Sequence, residues 1–358
     1  MNTKAIDAIA NALLYEGYML YPYRPSSVKN RQRFNFGVLY PRSYSEAQCG
    51  PDAWSAQTEC LIERGSAAGS APEVEVRIRF LKLVTRATRS QADHFQADHS
   101  QTDHSQADQS LADQGSRRAA SCWQEAIECE VSGPRCDLDA LAGRPIALPF
   151  RFPASREVEP LRGEDLGPVG EVVRIQESLE GTVEISAEPK TADLFKLRVR
   201  VENRTRFESG EGLREPALAR SLVSAHILLG VDDGWFVSLL DPPESLKDLA
   251  ADCHNVGVWP VLIGAQGARD TMLASPIILY DYPQIAPESP GDLFDGAEID
   301  EILALRIMTM TDDEKHEMRQ ADERSRRILE RTENLPAEHL RKLHGTLREL
   351  RPFKEEAP

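Results

Sequence analysis

Cys253 and His254 are neighbours in the sequence and carry the side chains best suited to do chemistry. A thiolate is a nucleophile and a soft metal ligand, and an imidazole can act as its base. Because adjacent side chains rarely hydrogen-bond to each other, a catalytic pair would need another histidine, and His226 is the candidate. These three residues could serve a thiol-dependent enzyme or a metal-delivery protein. The alternative is that Cys253 and His254 belong to a packed turn.

Three further cysteines, Cys122, Cys129 and Cys136, are spaced seven residues apart. On a helix this spacing would bring them to nearly the same face, as a metal triad requires. However, Gly133-Pro134 interrupts any helix, and the residues around Cys129 resemble a strand. We therefore expect buried, unreactive thiols.

Recognition chemistry is indicated near the N-terminus, where aromatic residues alternate with basic ones. Residues 1–45 contain six basic and two acidic side chains, although the whole chain has a net charge of −16. Aromatic rings can stack on nucleobases, but tyrosine and arginine also anchor protein interfaces. Nucleic-acid binding, a protein interface and packing within the chain all remain open. The residues of the predicted protein interface are Tyr15, Tyr18, Tyr21, Tyr23, Arg24, Lys29, Arg31 and Arg33.

The sequence lacks the strong motifs of several enzyme classes. It contains no phosphate-binding P-loop, no H-E-x-x-H zinc motif, no G-x-S-x-G nucleophile elbow and no C-x-x-C pair. We therefore predict a non-catalytic protein with no cofactor.

Composition and charge restrict the possible partners and compartment. Among 358 residues, 42 are Lys or Arg and 58 are Asp or Glu, so the chain should repel phosphate backbones and anionic membranes. Nucleic acid is therefore not expected as a partner. No stretch is apolar enough to span a membrane, and residues 1–20 do not resemble a signal peptide. Six cysteines are too few for a disulfide framework, which favours a cytoplasmic protein.

Strands are predicted around most of the residues that could carry chemistry. Alternation of apolar and charged side chains predicts strands at 73–84 and 123–131, which we expect to pair. A helix is predicted at 4–18 and a strand at 34–40.

Five copies of a five-residue polar unit form a low-complexity insertion at 90–115, which has too few apolar residues to fold.

A second β-rich region is predicted after a stretch with five prolines at 144–170, where we expect no regular structure. The Asp-Gly pair at 233–234 predicts a hairpin between strands at 222–230 and 235–240. Its other predicted elements are strands at 181–187, 195–201, 256–264 and 275–282, and a short helix at 242–251.

The pattern changes to helical beyond residue 287. Asp295 with Glu298, and Thr311 with Glu314, match the capping box at a helix start. Helices are predicted at 296–308, 312–333 and 336–350. The fold class is thus α+β, a β-rich sandwich- or barrel-like body in two units followed by helices. The predicted divisions are 1–143, the proline-rich connection 144–170, the second unit 171–286, the helices 287–351 and a tail at 352–358.

Two stretches of the sequence carry distinctive motifs. The first contains Tyr15-Glu16-Gly17-Tyr18, Tyr21-Pro22-Tyr23-Arg24-Pro25-Ser26 and Phe36-Gly37, and the second runs from Ser275-Pro276-Ile277-Ile278-Leu279-Tyr280-Asp281 to Glu298-Ile299-Asp300-Glu301-Ile302. With these motifs the chain resembles an uncharacterised bacterial family encoded beside uptake [NiFe] hydrogenases. It departs from that family in the insertion at 90–115 and at its C-terminus, where relatives continue into a small β-rich domain.

The resemblance implies a process and supplies no catalytic residue. It leads us to expect an accessory protein that supports hydrogenase assembly or maturation by binding a hydrogenase subunit or a maturation factor. A metal-delivery protein or thiol-dependent enzyme centred on Cys253, His254 and His226 is the alternative.

Overall fold

A computed structural model describes most of the chain, and its residues form two compact units. One unit comprises Phe34–Tyr282, and the other combines Thr3–Arg33 with Pro283–Pro358. The described residues are 3–15, 33–48, 50–65, 71–90, 122–162, 168–208, 214–284, 304–321 and 323–336. The low-complexity insertion lies outside them.

The larger unit is built from strands and a few short helices. In its described part, the strands are β1 (Ser55–Arg64), β2 (Glu73–Ser90), β3 (Cys122–Ser132), β4 (Cys136–Asp137), β5 (Ile146–Phe152), β6 (Ser155–Arg162), β7 (Pro168–Gln176), β8 (Leu179–Thr191), β9 (Leu194–Asn203), β10 (Val223–Asp232), β11 (Gly234–Phe236), β12 (Trp259–Leu262) and β13 (Thr271–Ser275). The helices, numbered from α1 (Thr3–Leu14) of the other unit, are α2 (Arg42–Gln48), α3 (Leu138–Gly143), α4 (Arg214–Leu218) and α5 (Lys247–Ala251).

The strands form two antiparallel sheets. The five-stranded sheet has the order β11-β1-β9-β8-β5, and the larger sheet has the order β12-β13-β10-β2-β7-β6, with β3 and β4 also paired to β2. The predicted pairing of β2 with β3 is confirmed, with Phe80 opposite Cys129. The predicted α+β class with a β-rich body and C-terminal helices is also confirmed.

One apolar core of the described residues contains side chains from both sheets. On β9, Leu197, Val199 and Val201 are buried, while Arg198 and Arg200 lie on the opposite face, as strand alternation requires. The core also takes residues from the larger sheet, including Phe80 of β2 and Leu229 of β10. Side chains from both predicted β-rich regions, 1–143 and 171–286, therefore share this core.

The expectation of irregular chain at 144–170 was wrong, because most of that stretch forms strands β5, β6 and the start of β7. Pro149 and Pro160 lie on end strands, where a missing N–H need not cost a ladder hydrogen bond. The buried Lys82 binds the two nearby places where the chain passes from one sheet to the other. Its Nζ donates to the carbonyl of Pro153 (3.4 Å) and to Oε1 of Gln176 (3.1 Å).

The predicted hairpin at Asp233-Gly234 was also wrong. Asp233 does adopt a positive φ of 55°, as a tight turn needs. However, β10 pairs with β2 and β13, whereas β11 pairs with β1 in the other sheet. The turn therefore carries the chain from one sheet to the other.

Two further predicted strands are replaced by irregular chain. Residues 33–40, all of which are described, form only two isolated bridges, from Leu39 to Leu222 and to Ala53. Phe34 and Gly37 have positive φ values that interrupt a strand. The predicted strand at 275–282 is wrong because β13 ends at Ser275. Both stretches matter for the site described below.

The smaller unit contains helices. They are α1, a short helical segment at 304–308, α6 (Asp312–Ala321) and α7 (Glu323–Glu333), with Ile307, Met310, Met318 and Leu329 in their core. The capping box at α6 is confirmed, since the Thr311 N–H donates to Glu314 and the Glu314 N–H donates to Oγ1 of Thr311. The predicted helix at 336–350 lies almost wholly outside the described residues. Within the described part, each helix is too short or too polar to cross a lipid bilayer.

Candidate functional site

The Cys253-His254 turn follows a short 3-10 turn, Glu244–Leu246, and helix α5. The Cys253 thiol lies 3.5 Å from the Leu249 carbonyl and packs in a small apolar cluster with Leu61. Burial raises the pKa of the Cys253 thiol to about 11. At neutral pH the side chain is therefore a thiol, which is a poor nucleophile and a poor metal ligand.

Glu59, on β1, holds this turn in place. Its carboxylate is fully buried and accepts hydrogen bonds from the His254 backbone N–H (2.9 Å) and from Nε of Arg198 (2.6 Å). Nζ of Lys196 lies 3.4 Å away. Burial alone would raise the pKa of Glu59, but these donors outweigh it and hold the pKa below its usual value. The carboxylate is thus ionised, and its charge is compensated by hydrogen-bond donors and neighbouring cations.

The surrounding charges are balanced and closely paired. Lys196 lies 2.9 Å from Oδ2 of Asp252, so two cations face two carboxylates. Asn255 completes the attachment, because its side-chain oxygen accepts from the Thr58 hydroxyl and the Glu59 backbone N–H. The contacts of Asp252, His254 and Asn255 fasten the turn to β1 or β9. These contacts explain the turn as a structural feature that is attached to the smaller sheet.

The structure does not bring His226 to Cys253. His226 is buried on β10 of the larger sheet, whereas Cys253 packs on the smaller one. Nδ1 of His226 lies 2.7 Å from the Ser224 carbonyl, and Nε2 has no hydrogen-bond partner among the described residues. Burial lowers the pKa of His226 to about 4. No group of three or more His, Cys, Asp or Glu side chains in the described ranges could hold a metal ion.

Of the equally spaced cysteines, the side chains of Cys129 and Cys136 are described, and both are buried. They lie on β3 and β4, opposite Phe80 and Val74 of β2. Burial raises the pKa of Cys129 to about 11 and also raises that of Cys136. These two positions agree with the expectation of buried, unreactive thiols.

Two residues of the predicted N-terminal interface are described. Tyr15 is half-buried, with Cζ of Arg324 only 3.8 Å from its ring centroid, so it contributes to packing within the smaller unit. Arg33 is buried. The other six residues, Tyr18, Tyr21, Tyr23, Arg24, Lys29 and Arg31, lie outside the described part of the chain.

One cleft of about 50 Å³ lies beside β10 and is lined mainly by acidic side chains. Arg135 occupies it, in contact with Asp232 and 3.7 Å from Glu75. Ligand pockets usually measure about 300–1,000 Å³, so this cleft is too small for an organic substrate.

The described surface also carries an apolar strip, which we define as Phe36, Trp259, Ile278 and Tyr280. The chain segments that bear it lie side by side. A Cβ atom built on Gly37 would come within 2.4 Å of Cγ of Pro276, so only glycine allows this approach. Trp259 starts β12 opposite Ser275, the last residue of β13.

The strip presents large side chains to solvent. The exposed fractions are 46% for Phe36, 44% for Trp259, 75% for Ile278 and 84% for Tyr280. Proteins seldom leave several such side chains exposed together unless the surface binds something. A partner with an apolar face could cover these four side chains.

Hydrogen bonds fix the chain that carries the strip. Asp281 accepts from the Leu262 backbone N–H (2.7 Å) and from the Ser238 hydroxyl (2.5 Å), and the Tyr282 N–H donates to the Leu262 carbonyl (2.7 Å). The backbone is therefore anchored while Ile278 and Tyr280 point outward. A docking surface that is already ordered loses less conformational entropy on binding.

Sequence reasoning missed both Glu59, which holds the Cys253-His254 turn, and the apolar strip. Glu59 was missed because β1 was not predicted, although Gln57, Glu59 and Glu63 alternate with Thr58, Cys60 and Ile62. The strip was missed because 275–282 was predicted to be a strand. The only signal was the resemblance, whose motifs Phe36-Gly37 and Ser275-Pro276 meet in space.

Comparisons with known proteins add no identification. No protein-family model matches the chain, and no curated protein has a significantly similar sequence.

Proposed function

We propose that this protein is a non-catalytic accessory protein that binds another polypeptide through the apolar strip, in support of the assembly or maturation of a [NiFe] hydrogenase. The observation that carries the proposal is the exposure of Phe36, Trp259, Ile278 and Tyr280 on an anchored surface. The proposed partner is a hydrogenase subunit or a maturation factor.

The chemistry of the strip supports a protein partner. Tryptophan and tyrosine are the residues most enriched among those that dominate binding energy, because they bury much area at low entropic cost. Covering one large apolar side chain contributes roughly 1.5–3 kcal/mol. Trp259 and Tyr280 are thus the expected anchors, and Ile278 and Phe36 would add apolar contact area.

The resemblance supports the hydrogenase assignment. Two of the motifs that carry it, Phe36-Gly37 and Ser275-Pro276-Ile277-Ile278-Leu279-Tyr280-Asp281, supply three of the four strip residues. That family is encoded beside hydrogenase genes, and such an association supports a shared biological process without specifying a molecular activity.

Co-purification with defined hydrogenase polypeptides tests the proposal. The wild-type chain should retain a hydrogenase subunit or maturation factor, and the double variant Ile278→Asp, Tyr280→Asp should lose it at least tenfold. Val158→Asp is the matched control, because Val158 is an exposed apolar residue on β6, away from the strip segments. Equal retention by the double variant and the control would contradict the proposal.

A further inference from the structure

An exposed acidic residue lies beside the apolar strip. The Ser238 hydroxyl donates to the carboxylate of Asp281 (2.5 Å), which follows Tyr280 in the chain. The same hydroxyl accepts hydrogen bonds from the backbone N–H groups of Leu240 (3.2 Å) and Asp241 (3.0 Å). Leu240 is 55% exposed and adds an apolar side chain to this part of the surface. One hydroxyl thus links Leu240 and Asp241 to the part of the strip that carries Tyr280.

The carboxylate of Asp241 can bind a cation from outside the chain. Asp241 is exposed and forms no ion pair with a basic side chain of the described residues. By contrast, Glu244 is already paired with Lys247 at 2.6 Å. An acidic group at the rim of an apolar surface favours a partner with a basic group at the matching position. The net charge of −16 favours a basic partner as well.

The neighbouring sheet edge offers little to an added strand. Strand β12, which carries Trp259, is an end strand of the larger sheet. The N–H of Leu262 donates to Asp281, and the carbonyl of Leu262 accepts from the N–H of Tyr282. Pro260, two residues earlier, has no N–H to donate. A bound segment must therefore be held mainly by side-chain contacts with the strip.

The composition of the strip indicates which kind of segment suits it. Three of its four side chains, Phe36, Trp259 and Tyr280, are aromatic. Proline-rich segments dock on aromatic side chains in the extended polyproline II conformation. Such segments already populate this conformation when free, so they lose little entropy on binding, and they need no open sheet edge.

We propose that the apolar strip binds a proline-rich segment of its partner in the polyproline II conformation, with a lysine or arginine of that segment paired to Asp241. This inference rests on the proposed function, since it uses the same surface, and it adds the chemistry of the bound segment. A second copy of this chain fits less well, because it would bring the same acidic residue and another net charge of −16.

Labelled ten-residue peptides test the proposal on the full-length protein. The two probes contain three proline-proline-leucine repeats with one arginine at the N-terminal or the C-terminal end, which covers both directions of binding. The charge control has glutamate in place of arginine, and the conformational control has alanine in place of every proline, which favours a helix. In fluorescence anisotropy, one probe should bind at least tenfold more tightly than both controls.

Two results of the peptide experiment would overturn the proposal. Tighter binding of the alanine peptide than of either probe would identify a helical segment as the occupant. Absence of binding by both probes at millimolar concentration would exclude the proline-rich segment.

A strip variant locates the binding. Tyr280→Ser should weaken binding of the better probe at least tenfold, because Tyr280 is 84% exposed and is an expected anchor. Val158→Ser is the matched control, since Val158 is an exposed residue on β6, at the opposite end of the larger sheet from β12. It should change binding less than twofold. Equal binding by the two variants would place the peptide elsewhere and contradict the proposal.

A second pair of variants separates the role of Asp241 from that of net charge. Asp241→Asn should reduce the preference for arginine over glutamate at least fivefold. Glu157→Gln removes one exposed negative charge on β6 and should leave the preference unchanged. An equal shift in both variants would show that net charge alone selects the arginine, which would overturn the pairing with Asp241.

Failure of this inference can be distinguished from failure of the proposed function. If neither probe binds but the double variant Ile278→Asp, Tyr280→Asp still loses the hydrogenase polypeptides, the proposed function stands and the proline-rich segment is wrong. If a probe binds through Tyr280 but the double variant retains those polypeptides, the inference stands and the hydrogenase assignment fails. A dimer in sedimentation that Tyr280→Ser dissociates would identify a second copy as the occupant and overturn the inference.

Discussion

The Cys253-His254 turn and the apolar strip use their side chains in opposite ways. In the turn, the Cys253 thiol packs against Leu61 and the backbone N–H of His254 donates to Glu59, although the His254 side chain is exposed. In the strip, the backbone is anchored while Ile278 and Tyr280 face solvent. The contacts of the turn fasten it to the sheet, whereas the strip presents large apolar side chains to solvent.

The difference shows that reactive residue types are a weaker guide to function than the environment of those residues. Cysteine and histidine suggest catalysis only where the thiol is exposed and its pKa is lowered, and burial here raises the pKa of Cys253. Ordinary apolar side chains become informative when the fold leaves them exposed on an ordered surface.

Removal of the Glu59 carboxylate should have the largest effect on stability. Glu59→Ala leaves Lys196 and Arg198 without a buried partner, and such losses typically cost about 3–5 kcal/mol. Glu188→Ala, which removes an exposed partner of Lys190, should cost less than about 1 kcal/mol. Denaturant unfolding measures both values. Equal costs would mean that Glu59 does not fasten the turn.

Acidification should destabilise the fold through His226. The unfolded chain binds a proton on this residue below its ordinary pKa of 6.5, whereas the folded chain does so only near pH 4. Stability is thus fully present above pH 6.5 and falls as the pH drops. Between pH 6.5 and 5 the loss should be about 1.5 kcal/mol, measured by denaturant unfolding. His226→Leu should remove this slope, and an unchanged slope would refute the assignment.

Replacement of the Cys253 thiol should have a small effect. Cys253→Ala removes a half-buried side chain, so we expect a loss of about 1 kcal/mol in unfolding free energy. The metal content of the purified protein, measured by plasma mass spectrometry, should be the same for variant and wild type. Stoichiometric nickel, iron or zinc that disappears in Cys253→Ala would instead favour the metal-delivery alternative.

The strip should matter least for stability. Ile278→Ser and Tyr280→Ser replace exposed side chains, so each should change the unfolding free energy by less than about 0.5 kcal/mol. Thermal unfolding checks this directly. A loss of more than about 2 kcal/mol would show that these residues belong to the core, contrary to their role as a binding surface.

Strand alternation predicted the parts of the fold that have one buried and one polar face. This signal located β2, β3 and β9, because Phe80 and Leu197 alternate with charged residues. It failed at 144–170, since the prolines there lie largely on end strands and in connections that tolerate them. It also failed at Asp233, where a turn with positive φ is equally suited to a crossing between sheets.

The site was less predictable than the fold because it depends on contacts that are distant in the sequence. Glu59 and His254 are separated by 195 residues, and nothing local connects them. The approach of Gly37 to Pro276 likewise joins two irregular segments. No periodic pattern encodes such contacts.

Complementation of a strain that lacks this protein tests the central claim most directly. In a hydrogenase-producing host, deletion should lower hydrogenase activity, and Cys253→Ala should restore it to the wild-type level. The double variant Ile278→Asp, Tyr280→Asp, expressed at equal abundance, should fail to restore it. Restoration by the strip variant together with failure of Cys253→Ala, or full hydrogenase activity in the deletion strain, would contradict the account.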